Sequence, residues 1–514
     1  MNARDPHGRL SATALLDLVT DAGSFRPWDA DLVAEDLLPP LDAVDHEQRL
    51  ARAAQRPGAT ESVLTGRATI GGVPVAVVVG EYAFLAGTMG VAAAERVVRA
   101  FQRASRAGLP VIGMPVSAGA RLQEGTPAFV QMISCVAAVR RFREAGGLYV
   151  AYLRDPTLGG VLASWGALAV LTFAEPHALI GLTGPRVMAQ VSGDTFPTGV
   201  QVAERLLGNG LVDDIVHPAD LAERLAEVLD VTARDVRAWV PGGVSPPDEL
   251  PAMDAWQAVV YSRRTDRPGI RELLATAADG IVRLRGDGAG MEDAGCLVGL
   301  ARLCGVPVVV VGHERPPGQR GAGLGAAGHR KARRGMALAE ELGVPLVTVI
   351  DTAGAAMTSA DEEGGLATEV ARCLATLIGL RTPTLAVLLG EGSGAGAIAL
   401  LPCDRVLADA HAWLAPIAPE GASSILFRSV ERAPELARTL GIAVHDLQRF
   451  GIVDAVMSGP AEGTDAVQGW AAVIAAQLRE LLAFDGLTRR SDRDRRYRAL
   501  RSVMVTSGGA GGAA

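Results

Sequence analysis

Two uninterrupted apolar runs, Leu148-Tyr-Val-Ala-Tyr-Leu153 and Thr384-Leu-Ala-Val-Leu-Leu389, lack the alternation of a half-exposed strand, so each reads as a strand buried on both faces. Each breaks into a loop of small residues, Asp155-Pro-Thr-Leu-Gly159-Gly160 and Gly390-Glu-Gly-Ser-Gly-Ala395-Gly396. Ala/Leu-rich sequence suited to a short buried helix follows each loop. The surroundings repeat as well. Both halves start with apolar strands (residues 73–79 and 306–311) and pass a glycine-bearing loop into a helix. They continue with a strand marked by Gly108-Leu-Pro-Val111 or Gly343-Val-Pro-Leu346. After the small-residue loop comes a strand following an acidic residue, over 175–180 and 404–407. One order of elements used twice predicts a duplicated α/β fold.

Domain limits follow from where the pattern stops. Residues 1–60 are rich in Asp, Arg and Pro with one helical segment and form an N-terminal extension, and the first α/β domain takes 61–239. Residues 240–253 hold four prolines and two glycines, a composition that resists helix and sheet, so a linker is expected there. The second α/β domain takes 254–505, and the Gly/Ala-rich 506–514 reads as a disordered tail.

Composition narrows the function classes. With 49% hydrophobic but only 4% aromatic residues, the cores are built from Ala, Val and Leu. A net charge of −8 and a pI near 5.6 argue against a nucleic-acid surface, which needs a concentrated basic face. The longest apolar stretch, residues 161–174, is too short to cross a bilayer, and the first residues lack a signal peptide's apolar core. A cytoplasmic location is expected. The five cysteines contain no C-x-x-C pair and the eight histidines no metal spacing, so no metal is expected.

The two small-residue loops carry the candidate chemistry. A helix N-terminus presents unpaired N–H groups, and Gly or Ala there lets a ligand oxygen approach them closely. Two such loops are two sets of donors for oxygens that gain negative charge, which implies chemistry on two carbonyl groups. Tight strand–helix packing is the other reading of either loop. Gly390-x-Gly392-x-x-Ala395 also satisfies the dinucleotide fingerprint, but the helix after it can run only to about Leu401 before Pro402, shorter than a Rossmann crossover needs. No Ser-His-Asp or Cys-His constellation can be nominated.

The words around the loops resemble a known family. Tyr82-Ala-Phe-Leu-Ala-Gly-Thr-Met-Gly90, Ser117-Ala-Gly-Ala-Arg121-Leu-Gln-Glu124, Asp155-Pro-Thr-Leu-Gly-Gly160 and Ala178-Leu-Ile-Gly-Leu-Thr-Gly-Pro-Arg186 resemble the β subunit of bacterial acetyl-CoA carboxylase carboxyltransferase. Gly312-His-Glu, Gly328-His-Arg-Lys331-Ala, Ile350-Asp-Thr-Ala-Gly354-Ala, the loop at 390–397, Ile417-Ala-Pro-Glu-Gly421-Ala-Ser-Ser-Ile-Leu426 and Arg495-Arg-Tyr-Arg-Ala-Leu500 resemble its α subunit. The resemblance covers residues 60 to 505 in order.

It implies two crotonase-like (ClpP/crotonase) domains of spiralling ββα units. The implied reaction is transfer of a carboxyl group from N1-carboxybiotin, on a separate biotin carrier protein charged by a biotin carboxylase, to acetyl-CoA, giving malonyl-CoA; propionyl-CoA or another acyl-CoA as acceptor, a biotin-dependent decarboxylase and a catalytically silent CoA- or carrier-binding scaffold are the alternatives. By family position, the Gly159 and Gly160 amides would hold the thioester oxygen and those of Ala395 and Gly396 the biotin ureido oxygen. No covalently bound cofactor is implied, and a homo-oligomer is. Gly119, Ala120 and Arg121 would help fix a substrate, with an Arg121–Glu124 ion pair at i+3 as the alternative. Lys331 is the one lysine among 49 Lys and Arg. It reads as a ligand for a carboxylate or CoA phosphate, with Arg330 as the other carrier of that role and a snorkelling surface cation as the alternative. The chain departs from the family pattern in three places. The β-type zinc ribbon has no cysteines to build it before Cys135, Ala353 stands where Pro is usual, and Ala118 where Gly is usual.

Overall fold

The computed structural model describes residues 8–28, 32, 60–192, 196–239, 253–316, 323–356, 358–457, 464–484, 489–493 and 495–497. They belong to two compact units, Met1–Asp230 and Val231–Ala514. The division falls just before the expected linker, because residues 233–237 are tied into the second unit: Arg302, fully buried, donates to the carbonyls of Ala233 and Asp235. The expected linker, Met253 apart, and the expected tail lie outside the described residues.

The first unit is organised by a strand that is buried over its last six residues. Residues 75–80 of Val73–Gly80 are all buried, and their β-branched side chains fit a pleated interior position. Gly71 and Gly72, at φ +57° and +79°, supply the two positive angles that a two-residue hairpin turn with native twist requires. The strands are β1 (Arg26–Trp28), β2 (Val63–Ile70), β3 (Val73–Gly80), β4 (Val111–Met114), β5 (Tyr149–Leu153), β6 (Thr157–Leu158), β7 (Leu171–Ala174), β8 (Ile180–Gly181) and β9 (Asp214–Ile215). The main sheet runs β1-β2-β3-β4-β5-β7-β9, antiparallel as far as β3 and parallel beyond it. The N-terminal extension therefore supplies the edge strand β1 as well as a helix, α1 (Ala12–Val19). Helices α2 (Val91–Ala107), α3 (Gly125–Glu144) and the one-turn α4 (Gly159–Val161) complete the parts used below. Phe101, Phe142 and Tyr149 pack edge to face over the sheet at 5.0 and 5.5 Å.

The second unit repeats this plan. Its strands are β10 (Ala278–Leu284), β11 (Cys296–Leu303), β12 (Val306–His313), β13 (Leu346–Thr352), β14 (Thr384–Ser393), β15 (Arg405–Asp409), β16 (Trp413–Ala415) and β17 (Ala455–Met457), in the order β10-β11-β12-β13-β14-β15-β17. The β11–β12 hairpin turns on Cys304 and Gly305 at φ +51° and +76°, the same device as Gly71-Gly72. Its helices include α5 (Ala255–Ser262), α6 (Ala326–Leu342), α7 (Leu366–Gly379), α8 (Gly394–Ile398) and α9 (Thr464–Leu482). The sequence words Gly-x-Pro mark one event twice. Gly108 and Gly343 close α2 and α6 in the left-handed conformation at φ +62° and +66°, and a proline two residues on prevents the helix from resuming.

One expected strand is displaced. The counterpart of β15 is β7, which ends before Glu175, so residues 175–180 do not form the expected sheet strand. Pro176 and His177, the latter at φ +61°, break the chain there. Ile180–Gly181 pairs instead with Thr157–Leu158, as β16 pairs with residues 391–393.

Candidate functional site

Both small-residue loops are held by the same scaffold. In the first unit the Ser117 hydroxyl accepts from the Gly119 amide at 3.0 Å, the Leu158 amide donates to Ser117 O at 2.9 Å, and Gly119 O accepts from Met89 N at 3.0 Å. In the second, Thr352 Oγ1 accepts from Gly354 N at 3.1 Å and residue 355 bridges to 324 as 120 does to 89. The bridges Ser117–Thr157 and Thr352–Gly392 fix the correspondence: Gly159 (φ +64°) matches Gly394 (φ +62°), and Gly160 matches Ala395. The sequence words had aligned Gly159-Gly160 with Ala395-Gly396, one residue later. Both Ala395 and Gly396 nevertheless lie in the first turn of α8. Gly119 and Gly159 are brought together, since a Cβ on Gly159 would sit 3.2 Å from Gly119 Cα.

The two short helices lack the carboxylate that meets the first amide of α2 and of α6. The first amides of a helix have no intrahelical partner. At α2 the Glu124 carboxylate accepts from Val91 N at 2.6 Å, and at α6 the Asp361 carboxylate accepts from Ala326 N at 3.1 Å. At α4 and α8 the N-cap residues, Leu158 and Ser393, make no side-chain capping bond. Gly159, Gly160 and Gly394 are half-buried, Ala395 is exposed and Gly396 is buried.

The cations chosen from sequence are occupied elsewhere. Arg121 is fully buried: its Nη1 donates to Glu124 Oε1 at 2.6 Å, while Nη2 pairs with Glu61 and donates to Thr88 O at 2.9 Å. Burial works against its charge, but the two carboxylates outweigh it and raise its pKa. The ion-pair alternative is therefore the one realised, and Arg121 supports the loop that carries Gly119 and Ala120. Lys331 is 6% exposed at its side chain and pairs with Glu292, so it is no snorkelling cation. Arg330 Nε donates to Asp287 Oδ2 at 2.7 Å. Together these two tie the segment 286–293 onto α6. His329 is fully buried against Gly325 O, and burial lowers its pKa.

Sequence reasoning missed Asp351, Arg267 and Arg315, a buried charge cluster beside the second loop. Asp351 stands in the quoted word Ile350-Asp-Thr, which was a usable signal. Arg267 carries none that is local. His313 is also buried there, and its Nδ1 accepts from Asp351 N at 3.4 Å; burial drives its pKa down to about 4. Among the described residues no group of His, Cys, Asp and Glu is arranged to hold a metal, and no helix is long and apolar enough to cross a membrane.

A family model described as acetyl co-enzyme A carboxylase carboxyltransferase-like matches residues 248–503. The chain is 46% identical over 496 residues to a probable biotin-dependent acyl-coenzyme A carboxylase beta3 subunit of Mycobacterium tuberculosis, covering 96% of this chain and 99% of that protein. It is 39% identical to the acetyl-coenzyme A carboxylase carboxyl transferase subunits beta/alpha of Salinispora arenicola, covering 96% and 91%. Among solved structures, transcarboxylase 12S, described as a hexamer assembly with methylmalonyl-coenzyme A bound, superposes with a TM-score of 0.74 at 21% identity, covering 92% of this chain and 90% of that one. A single-chain long-chain acyl-CoA carboxylase superposes at 0.70 and 19%, covering 91% and 46%. The fold is thus the crotonase-like carboxyltransferase fold used twice, and the chain belongs to the family of biotin-dependent acyl-CoA carboxylase carboxyltransferase subunits.

Proposed function

We propose that the chain transfers the carboxyl group of N1-carboxybiotin to acetyl-CoA, forming malonyl-CoA. Cleavage of the N1–carboxyl bond releases CO₂ and leaves negative charge on the biotin ureido group. Its N1 then takes the α-proton of the thioester, and the enolate carbon attacks CO₂. Negative charge develops on two oxygens, and backbone donors aimed at such positions are the largest single source of catalysis in sites of this kind. The Gly159 and Gly160 amides hold the enolate oxygen, and those of Ala395 and Gly396 the ureido oxygen. The observation that carries this reading is the pair of uncapped helix starts on matching scaffolds. The one lysine is buried against Glu292, so no side chain of this chain fits a biotin acceptor, and biotin arrives on a separate carrier charged by a biotin carboxylase.

Propionyl-CoA or a longer acyl-CoA is the second reading of the acceptor, favoured by the relatives named for acyl-CoA. An assay of acetyl-, propionyl- and butyryl-CoA with the carboxylated carrier, and of malonyl-CoA with free biotin in reverse, decides between them. The highest kcat/KM is expected with acetyl-CoA. Absence of turnover with every pair, from a folded preparation, would remove the carboxyl-transfer reading altogether.

A further inference from the structure

The second glycine loop begins against a buried arginine that no step of the carboxyl transfer uses. Arg267 lies five residues beyond the end of α5, and its side chain is 3% exposed. Its Nε donates to Ser262 O at 2.5 Å and its Nη2 to Asp351 Oδ1 at 2.5 Å. The same Asp351 oxygen accepts from Glu391 N at 3.3 Å, and the other lies 2.7 Å from Arg315 Nε. Arg315 in turn donates to the carbonyls of Arg267 and Pro268 at 3.1 and 3.3 Å. The guanidinium is therefore fixed from its own chain, from β13 and from Arg315. Two guanidiniums on one buried carboxylate contribute little to stability, because desolvation offsets their attraction. What they supply is geometry. A Cβ built on Gly390 would lie 2.6 Å from Arg267 Cζ and 2.8 Å from Nη1, so the guanidinium rests directly on the backbone where the loop starts.

We infer that Arg267 is a positioning residue for the second loop: braced by Asp351 and Arg315, it sets the backbone at Gly390 and so the aim of the Ala395 and Gly396 amides. This rests on the carboxyl-transfer reading. The test is a double-mutant cycle of Arg267→Lys and Gly390→Ala in the reverse reaction of malonyl-CoA with biotin, with each melting temperature recorded. Arg267→Lys keeps a charge for Asp351 but removes the flat group. It is expected to lower kcat/KM for biotin about tenfold or more while KM for malonyl-CoA stays within about twofold. Gly390→Ala, forced onto the guanidinium, is expected to do the same. In the double variant the new methyl occupies the space the guanidinium plane leaves, and activity returns to within about threefold of wild type. If Arg267→Lys fails to fold, Arg315→Lys, which weakens the brace and leaves Arg267 on Asp351, carries the same expectation of a biotin-selective loss. Losses that multiply in the double variant, or that strike biotin and malonyl-CoA alike in step with the melting temperature, overturn the inference while the carboxyl-transfer reading stands. A folded wild-type protein without turnover overturns both.

Discussion

Gly396 and Gly160 occupy matching helices, yet a methyl group at the two positions meets different neighbours. On Gly396 it would fall 2.5 Å from Gly354 O and 2.9 Å from Gly354 C, both main-chain atoms of the turn that Thr352 holds. Carbon contacts are comfortable only near about 3.5 Å, so the turn or the helix start must move by roughly 1 Å. Overpacking of this kind costs about 1–3 kcal/mol. A shift of that size in a donor pair costs on the order of 100-fold in rate. On Gly160 the methyl would land on Sδ and Cε of Met132, the free end of an unbranched side chain that turns aside readily. The cost there is about 1 kcal/mol or less, the low end for overpacking.

Gly396→Ala is therefore expected to lower kcat for carboxyl transfer about 100-fold. Its melting temperature should fall by roughly 2–12 °C, given about 2–4 °C per kcal/mol in a unit of this size. Gly160→Ala should stay within about tenfold of wild type in rate. Steady-state kinetics in the forward direction and scanning calorimetry on the same preparations make the comparison. Equal losses, or a larger loss at Gly160, would refute the argument, because both glycines would then be serving ligand approach rather than the packing that separates them.

Two further predictions follow from buried charges. His313, 2% exposed with its pKa depressed to about 4 against about 6.5 when unfolded, contributes stability that is complete above the unfolded value and is lost as pH falls toward about 4. Between pH 7 and pH 5 the denaturant midpoint should report a loss of about 2 kcal/mol that His313→Gln does not show, and identical acid slopes in the two proteins would exclude His313 as the source. Lys331→Met should lower stability by about 3 kcal/mol or less, because it strands Glu292, while KM for biotin and acyl-CoA stays within about twofold; an unchanged melting temperature with a tenfold higher KM would restore the ligand role to Lys331.

What the sequence revealed was local, and what it hid was set by distance along the chain. Runs such as Thr384-Leu-Ala-Val-Leu-Leu389, and the glycine-proline stops after α2 and α6, declare themselves because the residues that decide them are neighbours. The duplication was legible for the same reason. The register between the two loops was not, since Gly159-Gly160 and Ala395-Gly396 look alike as words and only the bridges from Ser117 and Thr352 distinguish them. Arg121 shows the limit sharply: its partner at i+3 could be named, but Glu61, sixty residues away, completes the burial that takes the guanidinium out of reach of a substrate. Arg267 and Asp351 lie eighty-four residues apart, and Gly390 is farther still. In a site whose donors are main-chain amides, the groups that would touch the reacting oxygens have little or no side chain, and the charged residues nearby act on them only through long-range contacts. A search for conspicuous charges therefore finds the supports of such a site, and the proposed holes stand out only through the matching scaffolds that carry the two short helices.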